Sequence, residues 1–154
     1  MKPVQVTIDV PQPREQVFDF LDVMSNHEPF TNHMLQDWRY AGPDRGVGAK
    51  ATVTVKAAGR SETADIEVIG AERPRAIVEQ NVSAGGRRVG TGTYTLDELP
   101  DGGTRIAFEY AWQRPLFSDR LAAPLVRTIL RRGNQRAMTR LAEQLAQRAP
   151  ASVG

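Results

Sequence analysis

Both histidines of this 154-residue chain lie in one short segment, NHEPFTNHML at residues 26–35. Imidazole titrates near neutral pH, so His33 could act as a general acid or base on the ketone or hydroxyl of a bound molecule. The alternative is that His27 and His33 are structural and hydrogen-bond the backbone. We do not expect a metal site, because the histidines are six residues apart, there is no HExxH pattern and the chain has no cysteine.

Alternating aromatic residues form a second set that could do chemistry. Phe108, Tyr110 and Trp112 alternate in one segment, and Trp38 and Tyr40 in another. If these side chains share a face with Tyr94, they place hydroxyl and indole NH groups in an otherwise apolar space. Such a stripe is typical both of a ligand pocket and of a packed core, and for Tyr94 and Tyr110 the sequence leaves both interpretations open.

Other catalytic patterns are missing from the sequence. No serine lies in a G-x-S-x-G motif, and the stretches GVGAK and RVGTGTY do not lead into a predicted helix, as a phosphate-binding loop would. We therefore expect no cofactor.

Hydrophobic periodicity predicts the elements that position these residues. Val4, Val6, Ile8 and Val10 alternate with polar residues and predict a first strand. A short amphipathic helix is predicted from about Pro13, and Pro29 predicts a second short helix or loop over residues 27–34. Six further strands follow, joined by short turns at AAGR, ERPR, AGGR and PDGG, which is the pattern of an antiparallel meander.

The last predicted element is one long amphipathic helix from about Leu116 to Arg148, which Pro124 bends or begins. Its apolar stripe is predicted at intervals of four residues, as Leu121, Leu125, Ile129, Gly133, Ala137, Leu141 and Leu145, and is widened by Val126, Leu130 and Met138. A one-sided antiparallel sheet must bury one face, and only this helix is long enough to cover it.

This order of elements resembles the SRPBCC superfamily, also called START-like or birch-pollen-allergen-like, in its bacterial polyketide cyclase/dehydrase and lipid-transport-like branch. The resemblance rests on VTIDVPQPREQVFDFLDVM at the front, GTGTYTL and GGTRIAFEY in the last two strands, and the closing helix. It covers about Val4 to Leu145 and implies an α+β helix-grip fold. In that fold a curved seven-stranded antiparallel sheet wraps around the C-terminal helix, with a hydrophobic ligand cavity between them. The superfamily includes carriers, aromatase/cyclases and other classes, so the fold does not decide the activity.

The resemblance also implies which residues would contact a ligand. Because the short helices of the family lie at the mouth of the cavity, NHEPFTNHML is expected to form its rim and to act as a mobile lid. The expected ligand-binding residues are His27, Phe30, His33, Met34, Trp38, Tyr40, Val53, Val55, Ile66, Tyr94, Phe108, Tyr110, Trp112, Leu125 and Ile129. The catalytic candidates are His33, Tyr94 and Tyr110.

Composition and charge limit the class of protein. Hydrophobic residues at 40% and charged residues at 25% are typical of one globular domain, predicted over residues 1–148 with a disordered tail at 149–154. No segment resembles a signal peptide or a membrane span, so a cytoplasmic protein, as a monomer or homodimer, is expected. Residues 114–148 contain eight Arg against Asp119 and Glu143. This segment therefore carries a charge of about +6, whereas the whole chain carries +2.

Three functions follow from these observations. The first is binding of a hydrophobic or aromatic small molecule, such as a lipid or polyketide, in a cavity of a few hundred Å³. The second is a cofactor-independent aromatase/cyclase or dehydratase that uses His33 and Tyr94 or Tyr110. The third is an interaction module whose basic C-terminal helix binds an acidic partner; a nucleic acid partner is disfavoured, since an Arg-rich helix face is usually only solvated.

Overall fold

A single antiparallel sheet of seven strands, in the order β1-β7-β6-β5-β4-β3-β2, dominates the computed structural model, which describes residues 1–148. The strands are β1 (Val4–Val10), β2 (Leu35–Ala41), β3 (Lys50–Ala57), β4 (Arg60–Glu72), β5 (Ala76–Ser83), β6 (Arg88–Glu98) and β7 (Thr104–Arg114). Strands β2 to β7 form the predicted meander, and β1 closes it by pairing with β7, with Val6 opposite Phe108. The predicted α+β helix-grip architecture is confirmed.

Helices cover one face of this sheet. They are α1 (Arg14–Asp22), α2 (Glu28–Thr31), α3 (Phe117–Leu121) and α4 (Ala123–Gln147), with 3₁₀ turns at Met24–His27 and Ala84–Gly86. Pro13 precedes α1 directly and Pro29 lies in the first turn of α2. Both prolines lie where a missing backbone N–H costs no helical hydrogen bond.

The long C-terminal helix is interrupted, in contrast to the single helix predicted from Leu116. It breaks at Ala122, between α3 and α4, and Pro124 lies in the first turn of α4. Because a proline is favoured in the first turn of a helix and disfavoured further in, it begins a new helix here. The tail predicted at residues 149–154 lies outside the described residues.

The core lies between the sheet and the C-terminal half of α4. Ala137, Met138, Leu141 and Leu145 of α4 are buried, and they form one cluster with Leu96 and Ile106 of the sheet and with the apolar face of α1. We call the sheet face that carries Leu96 and Ile106 the inner face. The N-terminal half of α4, before Asn134, has no fully buried residue.

Candidate functional site

Burial on the inner face falls steadily along β7. Ile106 is fully buried, whereas Phe108, Tyr110 and Trp112, which follow on the same face, are half-buried. Side chains at every second position of a strand share a face, so this decrease marks a change in what covers them. We call the half-buried end, with Tyr110 and Trp112, the open end of the inner face.

Two glycines of β6 decide how the aromatic rings lie at this end. Gly90 pairs with Trp112 and Gly92 with Tyr110. A Cβ atom at Gly90 would collide with the Tyr110 ring, and one at Gly92 would lie 2.9 Å from Cζ of Phe108. The Tyr110 and Phe108 rings therefore occupy the space above Gly90 and Gly92, which is the close approach that glycine permits.

The N-terminal half of α4 lies beside the edge of the sheet near the open end. Arg127 fixes it there, because its guanidinium donates hydrogen bonds to the carbonyls of Lys2 and Pro3 at 3.1 Å, just before Val4, which pairs with Tyr110. Val126 and Leu130 continue, at helical spacing, the stripe that leads to buried Ala137 and Leu141, and both are half-buried. We infer from this position that Val126 and Leu130 face Tyr110 and Trp112, and we call the space between these four residues the open cleft.

Leu125, expected to contact a ligand, is instead 62% exposed, whereas Ile129 is half-buried. A row of residues at intervals of four drifts by about 40° per step around a helix of 3.6 residues per turn. Four such steps separate buried Leu141 from Leu125, which amounts to about 160° and places Leu125 on the opposite side of α4. The predicted stripe was therefore wrong at Leu121 and Leu125, whereas Val126 and Leu130, which were predicted to widen it, are half-buried.

Two surface pockets lie away from the open cleft. One, of about 370 Å³, is lined by residues 56–61 at the turn between β3 and β4. The other, of about 320 Å³, is lined by strands β2 to β5 around Thr52, Asp65 and Val82. Neither is lined by α4, so neither is the cavity that was expected between the sheet and this helix.

His33 is a bridge between the segment before β2 and α4. Its Nε2 donates to the Gly133 carbonyl at 2.9 Å, and its Nδ1 accepts from Nη1 of Arg140 at 3.1 Å. Partial burial lowers the pKa of His33 below its ordinary value, and Arg136 and Arg140 lower it further, against the opposite effect of the Gly133 hydrogen bond. Because both nitrogens are engaged, a neutral His33 has no free position for proton transfer to a ligand.

The segment expected to be a rim and lid contributes to the core. His27 and Phe30 are 3% and 0% exposed. Met34 packs on α4 at Gly133, where a Cβ atom would collide with its sulfur. With two buried residues and contacts to α4 on both sides of the His33 ring, this segment is anchored, so the structure places His27 and Phe30 in the interior and not at a rim.

A polar cluster lies inside this core, formed by Glu79 of β5, His27 and Tyr94 of β6. All three are at most 5% exposed. Nδ1 of His27 lies 3.9 Å from Oε2 of Glu79, and the His27 ring meets the Tyr94 ring edge-on with centroids 5.6 Å apart. We call these residues the Glu79 cluster. Burial raises the pKa of Glu79, against an opposite effect of His27, and burial followed by the Glu79 charge raises the pKa of Tyr94.

The remaining predicted residues divide by burial. Val53 and Ile66 are core residues of β3 and β4, while Trp38 and Val55 are partly buried against that core. Tyr40 is 46% exposed on the edge strand β2 and donates a hydrogen bond to Glu28. Burial raises the pKa of Tyr110, a catalytic candidate, to about 12.

An ion cluster connects the open end to α3. Arg88 of β6 donates two hydrogen bonds to Asp119 of α3, at 2.7 and 2.9 Å, and a third to Glu62 of β4. Asp119 also accepts from the backbone N–H of Leu116, just before α3. The hydrogen bonds from Arg88 and Leu116 lower the pKa of Asp119, although burial opposes them. Arg88 therefore holds α3 against the sheet.

The sequence model of one family, described as polyketide cyclase/dehydrase and lipid transport, matches residues 1–149. The chain belongs to this family. No curated protein is significantly similar to the sequence. The family supports a ligand-binding or polyketide-processing role in general terms, and it confirms the SRPBCC resemblance.

Solved structures share the fold at low sequence identity. The Zhui aromatase/cyclase from a Streptomyces species is 14% identical with a TM-score of 0.79, covering 99% of this chain and 98% of that one. TTHA0849 from Thermus thermophilus is 15% identical with a TM-score of 0.77, covering 96% and 99%. Ara h 8.0201 is 12% identical with a TM-score of 0.66, covering 95% and 98%. At these identities the likeness concerns the fold.

The most buried carboxyl group in the described part of this family member, that of Glu79, was not predicted from the sequence. Ile77, Glu79 and Asn81 alternate on one face of β5, so a carboxylate between inner-face positions was the available signal. Its neighbours Gly92 and Tyr94 became known only with the register of β6. Within residues 1–148 no group of three His, Cys, Asp or Glu residues could hold a metal ion, and no helix is long and apolar enough to cross a membrane.

Proposed function

We propose that this protein binds a hydrophobic or aromatic small molecule, of lipid or polyketide type, in the open cleft. The observation that carries the proposal is the row of half-buried aromatic residues at the open end, which faces the half-buried stripe of α4. Apolar side chains that are left partly exposed inside a concave site gain free energy when a ligand removes them from water, at about 25 cal/mol per Å².

The glycines of β6 support the same function. The Tyr110 and Phe108 rings occupy the space above Gly90 and Gly92, where any side chain would collide with them. An aromatic ligand can then stack on or meet these rings edge-on, which adds about 0.5–1.5 kcal/mol to the burial of its area.

Two single substitutions at adjacent positions of α4, Val126→Arg and Leu125→Arg, test this site. Val126→Arg places a charge in the open cleft, whereas Leu125→Arg places the same charge on the exposed side of the same helix turn. Chemical shifts of backbone amides, followed during titration with naphthalene, give the affinity. We expect at least tenfold weaker binding to Val126→Arg and unchanged binding to Leu125→Arg. Equal affinities of the two variants would contradict the proposed site.

The enzyme alternative that uses His33 has less support, since both ring nitrogens of His33 are hydrogen-bonded to α4. The interaction-module alternative is also weakened, because several arginines of the basic segment bind this chain itself. Arg127 binds backbone carbonyls, Arg140 binds His33, and the Arg148 guanidinium lies 5.0 Å from the centroid of the Phe20 ring. Small-molecule binding is therefore the function that the geometry supports best.

A further inference from the structure

We infer that the Glu79 cluster is a recognition site for a phenolic or enolic hydroxyl group at the inner end of the bound ligand. The inference rests on the proposed function and narrows it. It selects hydroxylated aromatic molecules over plain hydrocarbons and over fatty acid carboxylates.

The carboxyl of Glu79 and the hydroxyl of Tyr94 make no side-chain hydrogen bond within residues 1–148. His27 is the ion-pair partner of Glu79, and 3.9 Å is too long for a direct hydrogen bond. The fully enclosed side-chain atoms that lack a partner in these residues belong to Gln12 and Asn134. The unbonded oxygens of Glu79 and Tyr94 are therefore open to solvent or a ligand, and either can satisfy them.

The Glu79 cluster contains one hydrogen-bond acceptor and two donors. Nε2 of His27 lies 2.7 Å from the Leu21 carbonyl, which can only accept, so Nε2 carries a proton. In the neutral ring Nδ1 is therefore an acceptor. Burial favours the uncharged acid of Glu79, which can donate, and keeps Tyr94 protonated as a second donor. One acceptor beside two donors matches a hydroxyl group, which donates once and accepts twice.

The Glu79 cluster lies next to the open end of the inner face. Glu79 lies directly opposite Gly92, which has no side chain, and the neighbouring inner-face position towards the open end is half-buried Asn81. The half-buried Phe108 ring crosses Gly92 and lies 4.7 Å from the Tyr94 ring, measured between centroids. A ligand that enters the cleft therefore meets Phe108 first and the Glu79 cluster behind it.

The cluster offers no cation to an anionic ligand group. Within residues 1–148 no Arg or Lys forms an ion pair with Glu79, whose one ion-pair partner is His27. A carboxylate buried here would meet a carboxyl group without a compensating guanidinium or ammonium, and an unpaired buried charge is costly. Fatty acids bound through their carboxylate do not fit this site.

Three matched probes test the inference: naphthalene, 1-naphthol and 1-naphthoate, titrated at pH 7 and followed by amide chemical shifts. We expect wild type to bind 1-naphthol about tenfold more tightly than naphthalene, as one buried hydrogen bond provides, and 1-naphthoate at least tenfold more weakly than 1-naphthol. Tyr94→Phe and Glu79→Met should each bring the preference for 1-naphthol over naphthalene close to one. Tyr40→Phe, which removes an exposed hydroxyl, should keep the preference.

The outcomes separate this inference from the proposed function. Naphthalene binding with no preference for 1-naphthol in wild type, or a preference that survives Tyr94→Phe, overturns the hydroxyl site and leaves the cleft in place. Binding of 1-naphthoate as tight as that of 1-naphthol overturns it too. Absence of binding of both naphthalene and 1-naphthol overturns the inference and the proposed function together. Tyr94→Phe removes a single oxygen atom, so the test stands even where Glu79→Met fails to fold.

Discussion

At the scale of single residues, the buried carboxyl of Glu79 makes stability depend on pH. Its pKa is raised in the folded protein above the ordinary value of 4.5, so the folded state binds more protons than the unfolded state between these two values. The free energy of unfolding is therefore highest below about pH 4.5 as far as Glu79 is concerned, and it falls as pH rises through the folded pKa.

Replacement of Glu79 by glutamine removes this dependence. Urea unfolding at pH 5 and pH 8 should show that Glu79→Gln loses less stability on going to pH 8 than wild type does. The control is Glu67→Gln, because the Glu67 carboxylate forms a surface ion pair with Lys50 at 3.0 Å. The stability of this variant should depend on pH as that of wild type does. If the stability of Glu79→Gln changes between pH 5 and pH 8 as much as that of wild type, Glu79 is charged in the folded protein.

His33 is expected to contribute to stability and not to catalysis. His33→Ala removes one hydrogen bond to the Gly133 carbonyl and one from Arg140, which should lower the free energy of unfolding by about 1–3 kcal/mol. Because its pKa is lowered in the fold, the neutral form is favoured, and its contribution is complete above about pH 6.5 and decreases as pH falls through the folded pKa. Thermal unfolding at pH 5 and pH 7.5 measures both effects, and a His33→Ala protein as stable as wild type would contradict them.

The residue types of the site could be found in the sequence, but their partners could not. His27 and His33 belong to one decapeptide, yet His27 bonds a carbonyl six residues away and His33 one that is 100 residues away. Sequence spacing does not report burial or long-range contacts, so both were expected at a rim. Glu79 was missed for the same reason, since its role depends on the register of β5 with β6.

At the scale of elements, periodicity predicted the seven strands and the C-terminal helical region, because alternation and helical stripes reflect local geometry. The break at Ala122 and the exposed position of Leu125 depend on how α3 and α4 pack. The interaction that positions α3 is the ion pair of Arg88 with Asp119, whose side chains are 18% and 10% exposed. Neither residue is near the other in sequence.

Loss of this ion pair should release α3 without unfolding the sheet. Asp119→Ala removes the partner of Arg88 and the acceptor for the Leu116 N–H. We expect the free energy of unfolding to fall by about 1–3 kcal/mol, which is less than for a fully buried ion pair because this pair is partly exposed. Hydrogen exchange at the amides of Arg120 and Ala122 should accelerate, while amides of β6 stay protected. Asp97→Ala, on the exposed part of β6, is the control, and equal acceleration throughout both elements would contradict a local role.

Gly133 is expected to matter because Met34 packs against it. Alanine has the higher helix propensity by about 1 kcal/mol, yet a Cβ atom at Gly133 would collide with the Met34 sulfur. The substitution Gly133→Ala should therefore lower the free energy of unfolding more in the wild-type background than in a Met34→Ala background. A double-mutant cycle from urea unfolding measures this coupling, and additive effects would show that Met34 moves aside without cost.

At the scale of the whole molecule, one fold produces a closed and an open end. The C-terminal half of α4 buries Leu141 and Leu145 against the sheet, whereas Val126 and Leu130 of its N-terminal half, like Tyr110 and Trp112 of β7, are only half-buried. The family and the helix-grip fold follow from the order of elements, but the extent of this opening follows from the packing of α4 on β1. The central claim is that an aromatic ligand occupies the open end.

Intermolecular nuclear Overhauser effects between naphthalene and the labelled protein test this claim most directly, because they identify the side chains within about 5 Å of the ligand. We expect contacts with Tyr110 and Trp112 on the sheet and with Val126 on α4. Contacts confined to residues 56–61, or to the pocket around Thr52 and Asp65, would contradict it.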